Sequence, residues 1–191
     1  MKVIAFNGSP RKEGNTYQAI QIVFDELKKE GIETELIQLG GKQIHGCLAC
    51  YKCFENKDNK CSIKTDELND YIDKMLAADG IIIGSPVYFS NVSSEVKALI
   101  DRAGLVSRAN NDLFKRKVGA AVVAMRRAGG CPTFAAINFF FLIGQMIVPG
   151  STYWNLGVGR QPGDIQKDEE GIETFRNLGK NMAWLLKKIS L

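Results

Sequence analysis

An α/β protein built around a parallel sheet is the fold class that this sequence predicts. Strand-like and helix-like segments alternate along the chain, and the strand-like ones are apolar on both faces, which suits a sheet covered by helices on each side. Turns rich in Gly, Ser and Pro follow the strand-like runs. With 191 residues, 45% hydrophobic and 24% charged, the chain has apolar material for both layers and no visible domain boundary, so residues 1–191 read as one domain.

The elements follow in order. Lys2 to Phe6 reads as a strand and Asn15 to Lys29 as a helix, with Ile20, Val23, Phe24 and Leu27 at helical spacing and Gly31 as its stop. Thr34 to Leu39 is a second strand, weakened by Glu35 and Gln38. Residues 46–61 form a cysteine-rich loop, and Asp66 to Ala77 a helix with Leu68, Tyr71, Ile72 and Met75 on one face. Gly80 to Ile83 is the clearest buried strand; Val92 to Arg102 is the next helix. Lys117 to Met125 is a fourth strand, ending in Ala128-Gly129-Gly130. An apolar helix from Thr133 leads to a fifth short strand near Gln145 to Val148, and Asp168 to Lys188 is a closing amphipathic helix. The segment Gly157 to Lys167 is the candidate mobile stretch.

Composition removes several function classes. The net charge of +4 comes from interspersed signs and forms no basic stripe of the kind nucleic acid requires. The apolar run Ala135 to Val148 is interrupted by Asn138 and Gln145 and is shorter than the ~20 residues of a membrane span, so it reads as a buried helix. The opening MKVIAFNG enters a strand directly, without signal-peptide architecture, and predicts a cytoplasmic protein. A lone histidine, His45, leaves no basis for a hydrolytic triad and reads as solvent-exposed. Asp66-Glu67 and Asp168-Glu169-Glu170 sit at helix starts, where they favour the helix dipole.

Two segments carry chemistry. Asn7 to Thr16 (NGSPRKEGNT) lies between the first strand and the first helix. It concentrates Ser9, Arg11, Asn15 and Thr16 where backbone amides and the helix dipole favour an anion, as a phosphate cradle requires. It matches neither GxxxxGK[ST] nor GxGxxG; the plainer reading is a strand-to-helix turn capped by Asn15 or Thr16. Cys47, Cys50, Cys53 and Cys61 form a compact four-thiol spacing. Three cysteines two residues apart with a fourth nearby favour an iron–sulfur cluster over zinc, whose sites more often come as separated pairs; reactive or structural thiols are the third reading. Cys131 reads as a packing residue.

Taken together, GSPRKEGNT, then GSPVYFSNVSSEVKALIDR from Gly84 to Arg102, and the later AGG loop resemble the NADPH-dependent FMN reductase and iron–sulfur flavoprotein group. The resemblance runs nearly end to end and weakens after Trp154. It implies a flavodoxin-like three-layer sandwich with strand order 2-1-3-4-5 and FMN at the switch point of the sheet. It also implies phosphate held by Ser9, Arg11, Asn15 and Thr16. The ring would lie against Pro86, Val87, Tyr88, Phe89 and Asn91, with Arg126 and Gly129 in a third wall. The four cysteines, on the same resemblance, hold a [4Fe-4S] cluster, and the chain forms dimers or tetramers, with Phe139 to Gly144 and the region of Trp154 as candidate interfaces.

The function these features predict is FMN-dependent electron transfer. Electrons would pass from an external carrier such as a ferredoxin, through the cluster, to a quinone, to dioxygen or peroxide, or to another protein. The alternatives are a cluster-free NAD(P)H-dependent FMN or quinone reductase, and a flavodoxin-type carrier that is not an enzyme.

Overall fold

The computed structural model of the protein describes residues 1–189. Its strands are β1 (Lys2–Asn7), β2 (Glu33–Gln38), β3 (Gly80–Pro86), β4 (Val118–Met125) and β5 (Leu156–Val158). Its helices are α1 (Asn15–Lys29), α2 (Lys52–Asn56), α3 (Leu68–Ala77), α4 (Ser94–Ala109), α5 (Gly130–Ile143) and α6 (Glu169–Ile189), with a 3-10 turn at Asp164–Lys167. The sheet is parallel, in the order β2-β1-β3-β4-β5. This is the flavodoxin-like order that the resemblance implies.

The period of two along each strand divides the core. Val3 and Ala5 of β1, Ile82 of β3 and Val118, Ala120 and Val122 of β4 meet α1 and α6 on one face. Ile4, Phe6, Ile81, Ile83, Ala121 and Val123 meet α3, α4 and α5 on the other. The polar residues of β2 sit where an edge strand tolerates them. Glu35 pairs with Lys2 at 2.8 Å and with Lys74. Gln38, at the strand's end, accepts from the Asn7 amide at 2.8 Å and donates to the Ser9 carbonyl at 2.7 Å.

Four sequence expectations need correction. The fifth strand is Leu156–Val158; of Gln145 to Val148, only Ile147 bridges β4, at Val118. Gln145 takes a left-handed backbone with φ of 55°, and Pro149, which lacks an N–H, follows soon after. The chain therefore leaves the β4 edge and returns to it at Leu156. Residues 157–167 are not a loose stretch: the Asn15 side chain accepts from the Gly163 and Ile165 amides and donates to the Gln161 carbonyl at 2.9 Å. Helix α5 begins at Gly130 and is not buried all round; Phe139, Leu142 and Ile143 face outward because β4 and α4 cover only its inner side. Cys131, in its first turn, is exposed and packs no core.

The close approach of β1, β3 and α4 at the sheet's centre leaves no room beyond Gly8. A Cβ there would stand 2.3 Å from Val96 Cγ2 and 2.8 Å from the Gly84 carbonyl oxygen. Gly8→Ala is expected to lower unfolding free energy by about 1–3 kcal/mol, as overpacking does, read from the urea midpoint at constant m-value.

Candidate functional site

The loops that leave the C-terminal ends of the strands converge on one cleft of about 160 Å3. Its floor is the turn after β1. Ser9 is buried; its amide donates to Asn7 Oδ1 at 3.1 Å, and its hydroxyl accepts from the Arg11 amide at 3.2 Å. Gly14 is the N-cap of α1 and has no side chain to offer, so no side chain caps the first amides of the helix. An uncapped helix start beside Ser9, Thr16 and Arg11 presents partial and full positive charge to an anion. Asn15 lines the cleft as well, but its carbonyl and one amide hydrogen are committed to residues 161–165.

The loop after β3 makes the apolar wall. Pro86, Val87 and Tyr88 line the cleft, and the Val87 amide is fixed by the Ala124 carbonyl at 3.1 Å. Tyr88 and Asn91 then exchange two backbone hydrogen bonds, of 2.9 and 3.0 Å, closing a two-residue hairpin over Phe89 and Ser90. Both turn residues are left-handed, with φ of 48° and 59°, as a type I′ turn demands. Phe89 is fully exposed at the tip and does not line the cleft, and neither does Asn91, whose Oδ1 accepts from the Val92 amide at 2.8 Å.

The loop after β4 closes the third side. Arg126 and Met125 line the cleft. Gly129, with φ of +84°, does not line it but lets this loop pack on the hairpin: a Cβ there would meet Ser90 Oγ at 2.8 Å and Val87 Cγ1 at 2.9 Å. Gly159 and Arg160, after β5, complete the cleft. Sequence reasoning missed them because it placed the fifth strand too early. Arg11, Arg126 and Arg160 face the cleft and no carboxylate lines it among the described residues.

The four cysteines lie along a second, smaller cavity between the loop at 47–63 and α4. Left-handed residues at Ala49 and Tyr51, with φ of 49° and 55°, coil the backbone there and let the Ala49 amide donate to Cys47 Sγ at 3.4 Å. Cys50 Sγ shares a hydrogen bond with Ser62 Oγ at 3.2 Å, which draws the Cys50 thiol below its ordinary value. Burial pushes the Cys53 thiol up. Cys47 and Cys50 are exposed, Cys53 is buried and Cys61 lies between. Among the described residues, no three His, Cys, Asp or Glu side chains gather as closely as the ligands of a single metal ion do. Four thiols nevertheless line this cavity of about 20 Å3, and four cysteine thiolates are the donor set that a [4Fe-4S] cluster takes.

Asp66 does more than favour a helix dipole. Its side chain is buried against the Arg102 guanidinium, with Oδ2 2.5 Å from Nη1, and also accepts from the His45 amide at 3.0 Å. Burial opposes ionisation, but these hydrogen bonds, with one from Leu68 N–H, hold the carboxyl below its ordinary 3.8. His45 is exposed and only its backbone takes part.

The model of the family described as NADPH-dependent FMN reductase matches residues 1–161. The chain belongs to that family. Its sequence is similar to an iron–sulfur flavoprotein of Methanocaldococcus jannaschii, 44% identical over 196 residues and covering 99% of each chain. It is similar also to one of Methanosarcina thermophila, 34% identical over 191 residues, covering 99% of this chain and 97% of the relative. Among solved structures, a flavone reductase superposes with a TM-score of 0.75 at 20% identity, covering 100% of this chain and 64% of that one. The Trp repressor binding protein of Bacillus subtilis gives 0.68 at 21% identity, covering 92% and 99%. As a member of the FMN reductase family, the protein is an FMN-dependent oxidoreductase. No helix among the described residues is long and apolar enough to cross a membrane.

The hairpin tip holds two non-glycine residues, Phe89 and Ser90, in left-handed conformations that cost backbone energy. Replacing Phe89→Asn together with Ser90→Gly supplies the residues that a type I′ turn prefers. The double variant is expected to be about 1 kcal/mol more stable than the parent, a gain readable by chemical denaturation.

Proposed function

We propose that FMN binds in the cleft with its phosphate on the turn from Ser9 to Thr16, against Arg11 and the open start of α1. The isoalloxazine ring then lies along Pro86, Val87 and Tyr88, with Arg126 on its polar edge. When bound, FMN accepts or donates electrons singly or in pairs. The residues around it hold the anionic end by charge and hydrogen bonds and exclude water from the ring's apolar face. Tyr88 and the exposed Phe89 leave the outer side of the cleft open to a redox partner.

The same reading assigns Cys47, Cys50, Cys53 and Cys61 as ligands of a [4Fe-4S] cluster. One observation carries it: the four thiols share one cavity, with an amide and a guanidinium donating to their sulfurs. Hydrogen bonds of that kind accompany cluster ligation by thiolates. The iron–sulfur flavoproteins among its relatives support the assignment. Exposed Cys47 and Cys50 put that side of the site within reach of an external one-electron donor such as a ferredoxin, and the acceptor is a quinone, dioxygen or peroxide, or a protein. A cluster-free reductase that takes hydride from NAD(P)H is the second reading. It is favoured by the three arginines at a cleft that no carboxylate lines among the described residues, which suit a phosphorylated dinucleotide.

Anaerobic purification followed by absorbance, iron and acid-labile sulfide assays tests this assignment. Flavin bands with about four irons and four sulfides per chain are expected; flavin without iron would leave the cluster-free reductase. Arg11→Ala is expected to weaken FMN binding about tenfold or more, the loss of a charged hydrogen bond, in a fluorescence titration of the apoprotein.

We further propose that copies of the chain associate through the outer face of α5 in the cytoplasm. Phe139, Leu142, Ile143 and Trp154 are exposed there beside an apolar groove. Leu142→Glu with Ile143→Lys is expected to reduce the mass in solution to that of a monomer, measured by light scattering. An unchanged oligomer would place the interface elsewhere.

A further inference from the structure

Arg102 is wholly buried on the inner face of α4, and its guanidinium contacts four points of the segment that carries the cysteines. Nη1 donates to the His45 carbonyl at 3.1 Å and to Asp66, and Nη2 donates to the Ile63 carbonyl at 3.2 Å. Those three bonds suffice to pin both ends of the loop to α4. The remaining contact has a different direction: Nε donates to Cys61 Sγ at 3.3 Å. The Cys61 backbone is itself held, since Asn69 accepts from its amide at 2.8 Å and donates to its carbonyl at 3.0 Å.

A buried ion pair is weak evidence for stability, because apolar residues of similar volume often replace one without loss. A guanidinium that spends one of its donors on a thiol sulfur instead of an oxygen needs another account. We propose that Arg102 is a positioning residue for the iron–sulfur site: it fixes the Cys61 sulfur and, through the Nε–H···Sγ bond, raises the reduction potential of the cluster. The physical reason is charge. Reduction adds a negative charge that is shared with the ligating sulfurs, and a hydrogen-bond donor held on one of them stabilises the reduced form over the oxidised one. Because the Asp66 carboxylate offsets the guanidinium charge, the effect resides in the directed hydrogen bond more than in the net charge of the pair. The inference rests on the cluster assignment above.

The test uses the full chain, purified anaerobically with its cofactors, in two variants. Removing Arg102 alone would strand a buried carboxylate, so the first is the double change Arg102→Met with Asp66→Leu, which removes the donor and leaves net charge unaltered. The second, Arg102→Lys, keeps a cation beside Asp66 but cannot form the same fork. Melting temperature and FMN content report that each has folded; iron and sulfide content report loading. The deciding readout is the midpoint potential of the cluster, followed by electron paramagnetic resonance. Both variants are expected to load iron and to have a lower midpoint, with the double variant shifted about tenfold in the one-electron equilibrium, or 59 mV. An unchanged midpoint would overturn the proposal whatever the iron content. Loss of iron from both variants with FMN retained would reduce Arg102 to a scaffold for the loop and overturn it too. If the parent chain holds FMN but no iron, the cluster assignment itself fails and this inference falls with it.

Discussion

A strand covered by helices on both faces has no solvent-facing side, so polar groups can be placed only at its ends or on the edge of the sheet. The central strands β1, β3 and β4 obey this constraint almost completely, and the functional groups of the molecule follow from it. Ser9, Tyr88 and Arg126 all lie just beyond the ends of these three strands. Because the strands are parallel, those ends share one edge of the sheet. A reversal of strand order between β1 and β3 then opens a crevice between the loops. The cleft is thus a consequence of hiding apolar strands, not a feature added to them.

The two candidate redox sites treat positive charge in opposite ways. At the cleft, Arg11, Arg126 and Arg160 line an open space without a carboxylate among the described residues, which leaves their charge available to an anionic ligand. At the cysteine site, Arg102 is sealed from water and matched by Asp66. A buried cation loses several kcal/mol of hydration, and only near-complete pairing offsets that loss. Its geometry is correspondingly rigid: the guanidinium fork permits one arrangement of the carbonyls, the carboxylate and the sulfur around it.

Long-range side-chain contacts supply the remaining order. Asn15 ties residues 161–165 to the first helix, so the phosphate turn and the loop carrying Arg160 are held as one unit. Gln38 does the same between β2 and the turn at Ser9. Both are polar residues whose local roles, a helix cap and a blemish in a strand, look ordinary in the sequence.

What the sequence by itself determined was whatever depends on neighbours along the chain. The continuous apolar runs of β1, β3 and β4, the 3.6-residue stripe of α1 and the donor-rich turn at 7–16 are all local signals, and they located the fold class and the cleft. The four-cysteine spacing was equally legible, since cysteines a few residues apart must stay close in space. Tertiary structure alone decided the rest, because those choices depend on residues distant in sequence. Leu156–Val158 displaced Gln145 to Val148 as the fifth strand once Pro149 drew the chain off the β4 edge. Phe139 and Leu142 faced outward because only one side of α5 met the sheet. The pairing of Arg102 with Asp66 and Cys61 joins residues 36 and 41 positions apart, and no periodicity in the chain encodes it. Local propensity acts within a few residues, whereas burial brings together groups from anywhere in the chain and requires each buried charge to find a partner.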